Sequence, residues 1–459
     1  MAHYDLIVIG TGSGLPVVDD RFTGWRVAIV ERRTFGGTCL NRGCIPSKML
    51  VLPADIARSA GHGSTLGLHT SADGVDWPAV RDRVFARTDG VSAEGKAYRE
   101  GQDDVDVLTG NARFVGPRQL HVDLESGESV TITGDQVVVA AGGRPVVPDI
   151  DGLADVEHHT SDTVMHLETF PARLGVLGGG YIGAEFAHVF SAYGAHVTQV
   201  ESEGLLLGTQ DADVARFFTE AAAQRWNVRL GTDLERVRRA AGGIEMHLSD
   251  GTMVEVDTLL VATGRRPNSD QLDLDAAGID TDDRGLVVVD EYQRTTADGV
   301  WALGDISSPE PLKHVANQDS RIVQHNLLHP DDLIVSDHRF VPQAVFSEPQ
   351  VASVGLTEEQ ARERGTDLAV AVQKYGDTAY GWALEDTTHF VKLLGDRATG
   401  RLVGAHLVGP HASMLIQPLI QAMSFDQPVA GLARGQYWIH PALTEVVENA
   451  LLQLADELR

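Results

Sequence analysis

The chain has 459 residues, 43% hydrophobic and 22% charged, with 37 Lys and Arg against 65 Asp and Glu for a formal charge of −28. That length accommodates two to four domains, each with its own core, and the acidity argues against nucleic acid or an anionic membrane as partner. No apolar run approaches the ~18 residues of a membrane span, and "MAHYDLIVIG" enters a strand pattern without a basic-then-apolar leader, so a cytoplasmic location is expected.

From the N-terminus, "YDLIVIG" reads as a buried strand that turns at Gly10-Thr11-Gly12, and "WRVAIVE" as a second strand ending at Glu31. A helix is expected between them. Strand, glycine turn, helix, strand and acid form a dinucleotide-binding unit. The glycines admit a pyrophosphate to the helix N-terminus, and the acid accepts from a ribose hydroxyl. Leu15 stands where the third glycine of that fingerprint belongs, so the match is imperfect. Leu15-Pro16 still suits a helix start, because proline is tolerated in a first turn.

"TFGGTCLNRGCIPSKM" (34–49) follows and holds Cys39 and Cys44, the only cysteines. Two thiols are too few for a four-thiolate zinc site, and no metal is expected. Residues five apart in a regular helix have Cα atoms roughly 8–9 Å apart, whereas a disulfide needs about 7 Å or less. The pair therefore closes only if the helix is distorted between them. Gly43 supplies backbone freedom, and Pro46 disfavours helix at Ile45. Gly36 and Gly37 let the backbone approach a cofactor. A dithiol–disulfide redox centre is the expectation; the alternative is two buried thiols packed as small hydrophobes.

The nucleotide pattern then recurs. "RLGVLGGGYIGAEFAHVFSAYGAHVTQVE" carries Gly178, Gly180 and Gly183 between a strand and a helix, and its second strand ends at Glu201. "VVVAAGGRP" (137–145) and "LLVATGRRP" (259–267) are matching apolar runs, each placed to complete the sheet of one unit. Two dinucleotide units in one chain suggest electron transfer between nucleotides, most often flavin and nicotinamide. From about Arg339 the pattern changes to α+β: strand-like runs, a hairpin around Asp396–Gly400, and helical spacing in "SMLIQPLIQAMSF" and "LTEVVENALLQLADEL".

"GGTCLNRGCIPSK" resembles the active-site segment of the flavin-dependent pyridine nucleotide–disulfide oxidoreductases. The likeness extends through both nucleotide units, "WALGD" (301–305) and "WIHPALTEVVENALL" (438–452). It implies an α/β fold: two Rossmann-like dinucleotide-binding domains, for FAD and NAD(P)H, and a C-terminal α+β dimerisation domain. The expected division is 1–150 for FAD with the cysteine pair, 151–270 for NAD(P)H, 271–338 for the second part of the FAD and central region, and 339–459 for dimerisation. The resemblance implies that Cys39 attacks the substrate disulfide while Cys44 lies against the flavin. It places Lys48 by the flavin ring paired with Glu185, Tyr181 over the nicotinamide pocket, and Asp305 on the ribityl chain. Gly14, Gly37, Thr38, Ala141, Gly142, Gly264, Arg265 and Gly304 join Gly10, Gly12, Glu31, Gly178, Gly180, Gly183 and Glu201 as cofactor contacts.

"HPALTE" alone reads as a surface turn. The resemblance makes His440 the acid–base residue, with Glu445 fixing its tautomer, and sends this segment into the partner subunit's active site, implying an obligate homodimer. No cysteine follows Cys44 in this sequence, so no C-terminal thiol relay is expected and a small-molecule disulfide is expected to reach Cys39 directly. "HTSDTVM" (159–165), "LKHVANQDSRIVQHNLL" (312–328), "YGWALEDT" (380–387) and "GQYWIHPALTEVVENALL" (435–452) are most similar to the mycothione reductase branch. Lipoamide dehydrogenase is the runner-up and glutathione reductase stands behind it. Rivals from other classes are a redox sensor without turnover and a flavin-only oxidase. Relatives that use NADPH carry arginines after the second strand of the nicotinamide unit. Here Glu201 and Glu203 begin that segment and no Lys or Arg occurs before Arg216, so NADH is expected to be favoured over NADPH.

Overall fold

The computed structural model describes residues Met1–Arg459. Its first part runs β1 (Ala2–Ile9), β2 (Val27–Glu31), α1 (Gly37–Arg42), α2 (Cys44–His62), α3 (Trp77–Glu100), β3 (Val105–Gly116), β4 (Gln119–Leu124) and β5 (Ser129–Val139). β3, β2, β1 and β5 lie side by side and parallel, and a later segment, Val300–Ala302, adds beyond β5. Apolar residues in β2 and the second halves of β1 and β5 are buried throughout, as parallel strands covered on both faces require. β4 bridges the long ends of β3 and β5 in antiparallel register.

The α-helix expected after the first glycine turn is absent. Two three-residue 3-10 turns, Leu15–Val17 and Asp20–Phe22, occupy its place. Pro16 lacks an N–H, and the Asp19 side chain caps a second turn, accepting from Arg21 N at 3.0 Å. The carbonyls that a helix would satisfy internally are satisfied from outside. Arg99 donates to Val18 O (2.6 Å), and Gln324 Nε2 donates to Pro16 O and Val17 O (3.1 and 3.0 Å). Long-range side chains have replaced the local ladder.

The second unit runs β6 (Gly143–Pro145), β7 (Arg173–Leu177), α4 (Tyr181–Ala192), β8 (His196–Val200), α5 (Ala212–Ala223), β9 (Asn227–Arg229), β10 (Leu234–Ala240), β11 (Gly243–Leu248), β12 (Met253–Val256), β13 (Thr258–Val261) and β14 (Arg265–Pro267). β13–β7–β8–β9 form a parallel sheet and β10–β11–β12 an antiparallel one. The two repeated runs complete their sheets as their spacing suggests: 137–139 pairs with β1 and 258–261 with β7. Their ends, β6 and β14, also pair with each other and tie the units together. β15 (Val300–Ala302) and α6 (Lys313–Leu328) then return to the first sheet.

The last part contains β16 (Gln343–Val345), β17 (Val351–Gly355), α7 (Glu358–Glu363), β18 (Leu368–Lys374), α8 (Ala379–Ala383), β19 (Phe390–Asp396), β20 (Arg401–Val408), α9 (Ala412–Leu415), α10 (Gln417–Ser424), α11 (Val429–Arg434) and α12 (Thr444–Glu457). Its five strands form an antiparallel sheet ordered β16–β17–β20–β19–β18. Apolar residues of α10 and α12, including Leu419, Val447, Leu451 and Leu454, close its core. No helix is long and apolar enough to cross a membrane.

One core cluster decides where the chemistry sits. Leu50, Val51 and Ala54 of α2 bury against Trp77, Phe190 and Tyr193, which presses the cysteine-bearing helix onto α4 of the second unit. Each such fully buried side chain is worth about 1.5–3 kcal/mol. Pro53 inside α2 leaves Met49 O without its helical donor, and Arg83 fills the gap at 2.9 Å.

Candidate functional site

β1 ends in a turn that glycine alone fits. Gly10 has φ +99°, and a Cβ there would meet Ala140 O at 2.4 Å. Glu31, at the end of β2, grips the turn: it accepts from Thr11 N (2.9 Å), Thr11 Oγ1 (2.6 Å) and Arg33 N (2.9 Å). The second unit repeats the device. Glu201 accepts from Gly179 N, from Glu203 N at 2.9 Å and from Ser202 Oγ at 3.1 Å. In both units the carboxylate binds the glycine turn and the amide two residues beyond itself. In both it stands where a ribose diol would find an acceptor.

The cysteine segment begins at Gly36 and Gly37, with φ +99° and +67°. Gly37 lies so close to Gly12 that an added Cβ would meet its Cα at 2.5 Å, which holds the two glycine turns face to face. Asn41, buried, donates to Phe35 O (3.0 Å) and Gly37 O (2.9 Å) and pins α1. Helix stops at Gly43 (φ −142°, ψ −120°) and restarts at Cys44. The distortion expected between the cysteines is therefore real, but all of it falls on Gly43. Ile45 is helical, contrary to expectation, because Pro46 lies in the first turn of α2, where its missing N–H has no role.

Cys39 is half-buried and Cys44 exposed, both as free thiols. The thiols share a hydrogen bond and their properties diverge. That bond, together with burial, drives the Cys39 thiol up. The same bond, donated to Cys44 and reinforced by the Lys48 charge, outweighs desolvation and draws Cys44 down to about 7. Near neutral pH Cys44 is thus the sulfur that carries the charge.

Lys48 Nζ donates to both Glu185 oxygens (2.8 and 2.7 Å), and Glu185 also accepts from Phe346 N (3.0 Å). This pair joins α2, α4 and the segment before β17. Tyr181, first residue of α4, lines the same cleft, and burial pushes its phenol up to about 12. Asp305, 3.9 Å from Arg265, also lines it, and burial raises its carboxyl.

One cleft gathers Gly10, Gly12, Glu31, Gly37, Thr38, Cys39, Cys44, Lys48, Ala141, Gly142, Tyr181, Glu185, Arg265, Gly304 and Asp305. Gly178, Gly180, Gly183, Gly264 and Glu201 do not line it. The first three and Glu201 form the second glycine turn. Gly14 is packing rather than lining, since a Cβ there would meet Gly10 O at 2.5 Å. His440 and Glu445 stand apart as well. His440 Nδ1 donates to Glu445 Oε1 at 2.7 Å, which leaves Nε2 free, and the imidazole is 71% exposed. Sequence reasoning missed Lys313, Ser13 and Arg42, all in the cleft wall. Lys313 and Ser13 meet across 300 residues, a separation that no local pattern reveals.

The cleft suits an extended dinucleotide with an anionic centre. Its floor is glycine at Gly12 and Gly37, and the space over Gly142 is open. Comparison with known proteins agrees. Residues 4–320 match the pyridine nucleotide-disulphide oxidoreductase family and residues 341–451 its dimerisation domain. Mycothione reductase of Mycobacterium tuberculosis is 50% identical over 462 residues, covering 99% of this chain and 100% of that protein. Glutathione reductase of Burkholderia cepacia is 34% identical, over 96% and 97%. Among solved structures, the HOCl-induced flavoprotein disulfide reductase RclA of Escherichia coli superposes with a TM-score of 0.88 at 30% identity, over 98% and 99%.

Proposed function

This chain belongs to the pyridine nucleotide-disulphide oxidoreductase family, and we propose that within it the chain reduces the low-molecular-weight disulfide mycothione to mycothiol. It is an NAD(P)H-dependent disulfide oxidoreductase of a FAD-dependent family. The observation that carries the substrate is the 50% identity to a mycothione reductase over the whole of both chains, against 34% for glutathione reductase. The absence of any cysteine after Cys44 supports direct attack on a small disulfide.

When bound, FAD relays an electron pair from the nicotinamide to the Cys39–Cys44 disulfide. The chain's own residues do the rest. Lys48, held by Glu185, stabilises negative charge on Cys44. Cys39 gives its proton to His440 Nε2 as its sulfur attacks one sulfur of the substrate, and the other sulfur is expelled as a thiolate. His440 Nε2 protonates that leaving group, and Glu445 keeps the imidazole oriented through Nδ1. Cys44 then attacks Cys39, re-forming the disulfide and releasing the second thiol. His440 lies outside the cleft of its own chain, which supports a homodimer whose sites are shared between subunits. A cytoplasmic location suits a pair that must return to the dithiol state.

We also assign the nucleotide as NADH. The carboxylate of Glu201 accepts from a 2′-hydroxyl and repels a 2′-phosphate. Of the arginines around this segment, Arg216 pairs with Asp213 at 3.1 Å, whereas Arg229, whose carbonyl accepts from Glu201 N, makes no ion pair. Steady-state kinetics with both nucleotides should give the higher kcat/KM with NADH, and Glu201→Arg with Ser202→Arg should shift the ratio toward NADPH. A higher kcat/KM with NADPH in the wild type removes this assignment. The substrate is tested by turnover of mycothione, oxidised glutathione and lipoamide side by side. Mycothione should give the highest kcat/KM, and a higher value for either other disulfide overturns the reading.

A further inference from the structure

The glycine turn after β1 opens onto 3-10 fragments instead of a helix. A full helix would bring about half a positive charge and several free N–H groups to a bound pyrophosphate. Three-residue turns bring no such dipole, and the amide that Pro16 would supply is missing. The amides of Gly12, Ser13 and Gly14 stay free of backbone acceptors but carry no net charge, so a counter-charge for the anionic centre must come from another element.

α6 lies against the vacant place. Its Gln324 takes the carbonyls of Pro16 and Val17, and Val323 and Leu327 share a core with Val17, Val18 and Phe22. Its first turn packs on the turn at Gly304, where an added Cβ would meet Ala316 Cβ at 3.3 Å and Ser13 Cβ at 3.9 Å. From this turn Lys313 sends Nζ into the cleft to Ser13 Oγ, 2.9 Å away, inside the glycine turn itself. That hydroxyl is neutral and is the one hydrogen-bond partner of the ammonium, which makes no ion pair. Of the other cleft cations, Lys48 pairs with Glu185, Arg33 with Asp162 and Arg144 with Asp270, while Arg32 and Arg42 make no ion pair but do not reach the glycine turn through any hydrogen bond. Burial pulls the Lys313 ammonium down against the opposing pull of Cys39, Cys44 and Asp305, so the half-buried charge is held at a net cost that a further anion would offset.

We propose that Lys313 replaces the missing helix at the first glycine turn, its ammonium binding the pyrophosphate of FAD beside Ser13. The assignment rests on flavin binding, which the family supplies, and is independent of which disulfide is reduced. Binding is then an ammonium–phosphate contact rather than a helix-dipole contact, and it weakens with salt.

The test starts from holoenzyme and follows FAD release by fluorescence, together with the phosphorus NMR resonances of the bound cofactor. Lys313→Gln keeps a donor to Ser13 and removes the charge. It should weaken FAD retention by about 10–100-fold, the range of a charge-assisted hydrogen bond, flatten the salt dependence of release, and shift the pyrophosphate resonances. Lys313→Arg should restore most of the retention. Unchanged retention and unchanged phosphorus resonances in Lys313→Gln overturn the proposal. So does an effect confined to the visible flavin spectrum, which would place the charge at the thiol end of the cleft. If Lys313→Gln does not fold, Lys313→Arg carries the test alone: its guanidinium should displace the phosphorus resonances, and resonances identical to wild type overturn the proposal.

Discussion

At the scale of single residues, the site works by making two adjacent thiols unequal. Cys44 is drawn to about 7 by the hydrogen bond from Cys39 and by Lys48, while Cys39 is driven the other way. Below that value Cys44 is a neutral thiol, and above it a thiolate. A Cys44 thiolate against the flavin should give the two-electron-reduced enzyme a long-wavelength charge-transfer band that fades as the pH falls through about 7, and Cys44→Ser should abolish it. A band that survives in Cys44→Ser and vanishes in Cys39→Ser would reverse the two roles. His440 is held by Glu445 through one nitrogen and offers the other. His440→Ala should slow disulfide turnover by about 10²–10⁴-fold, the range of a general acid, and leave reduction of the flavin by nicotinamide nearly unchanged in stopped-flow traces. The cysteines, the glycine turns and the acids Glu31 and Glu201 that grip them were legible in the sequence because each lies in a local pattern with a geometric purpose. Lys313 was not, because its meaning comes from Ser13, at the other end of the chain.

At the scale of elements, the strands were read well and one helix was not. β1, β2, β7, β8 and the repeated runs at 137–139 and 258–261 are continuous apolar segments that only a covered parallel sheet accommodates. The stretch 15–22 looked like a helix because glycine turn and proline match a helix start. The outcome was set instead by Arg99 and Gln324, which take its carbonyls from afar. Arg99→Met should therefore leave Val18 O unsatisfied in a buried place and cost about 1–3 kcal/mol, measured by urea denaturation. A loss well under 1 kcal/mol would show that the turn holds without it. The break between α1 and α2 was anticipated, but its location was credited partly to Pro46. The φ and ψ of Gly43 carry it alone.

At the scale of the whole molecule, the two nucleotide units and the C-terminal sheet are joined by charge as well as by apolar packing. Lys392 of β19, almost fully buried, reaches Asp211 (2.8 Å) and Asp213 (2.7 Å) at the start of α5 and Glu358 (2.7 Å) of α7. Lys392→Met leaves the buried Asp211 carboxylate without its cation and should cost about 3–5 kcal/mol, read as a lower Tm. The same contacts hold the Asp211 and Glu358 carboxyls below their ordinary values. Their stabilisation is present at neutral pH and lost as the pH falls below the usual carboxylate range of about 4, so the wild type should lose stability in acid more steeply than the variant. This joint could not be seen in the motifs, since its members lie on three separate elements. The proposed sharing of sites between subunits makes a further demand: dimers mixed from inactive His440 and inactive Cys39 variants should recover part of the activity, and no recovery in demonstrably mixed dimers would mean that each site is built within one chain. The most direct test of the whole account counts thiols released from mycothione against NADH consumed, in wild type and in Cys39→Ser. Two new thiols per NADH in the wild type and none in the variant is the expected result. NADH consumption without thiol release in the wild type, or undiminished release in Cys39→Ser, would contradict it.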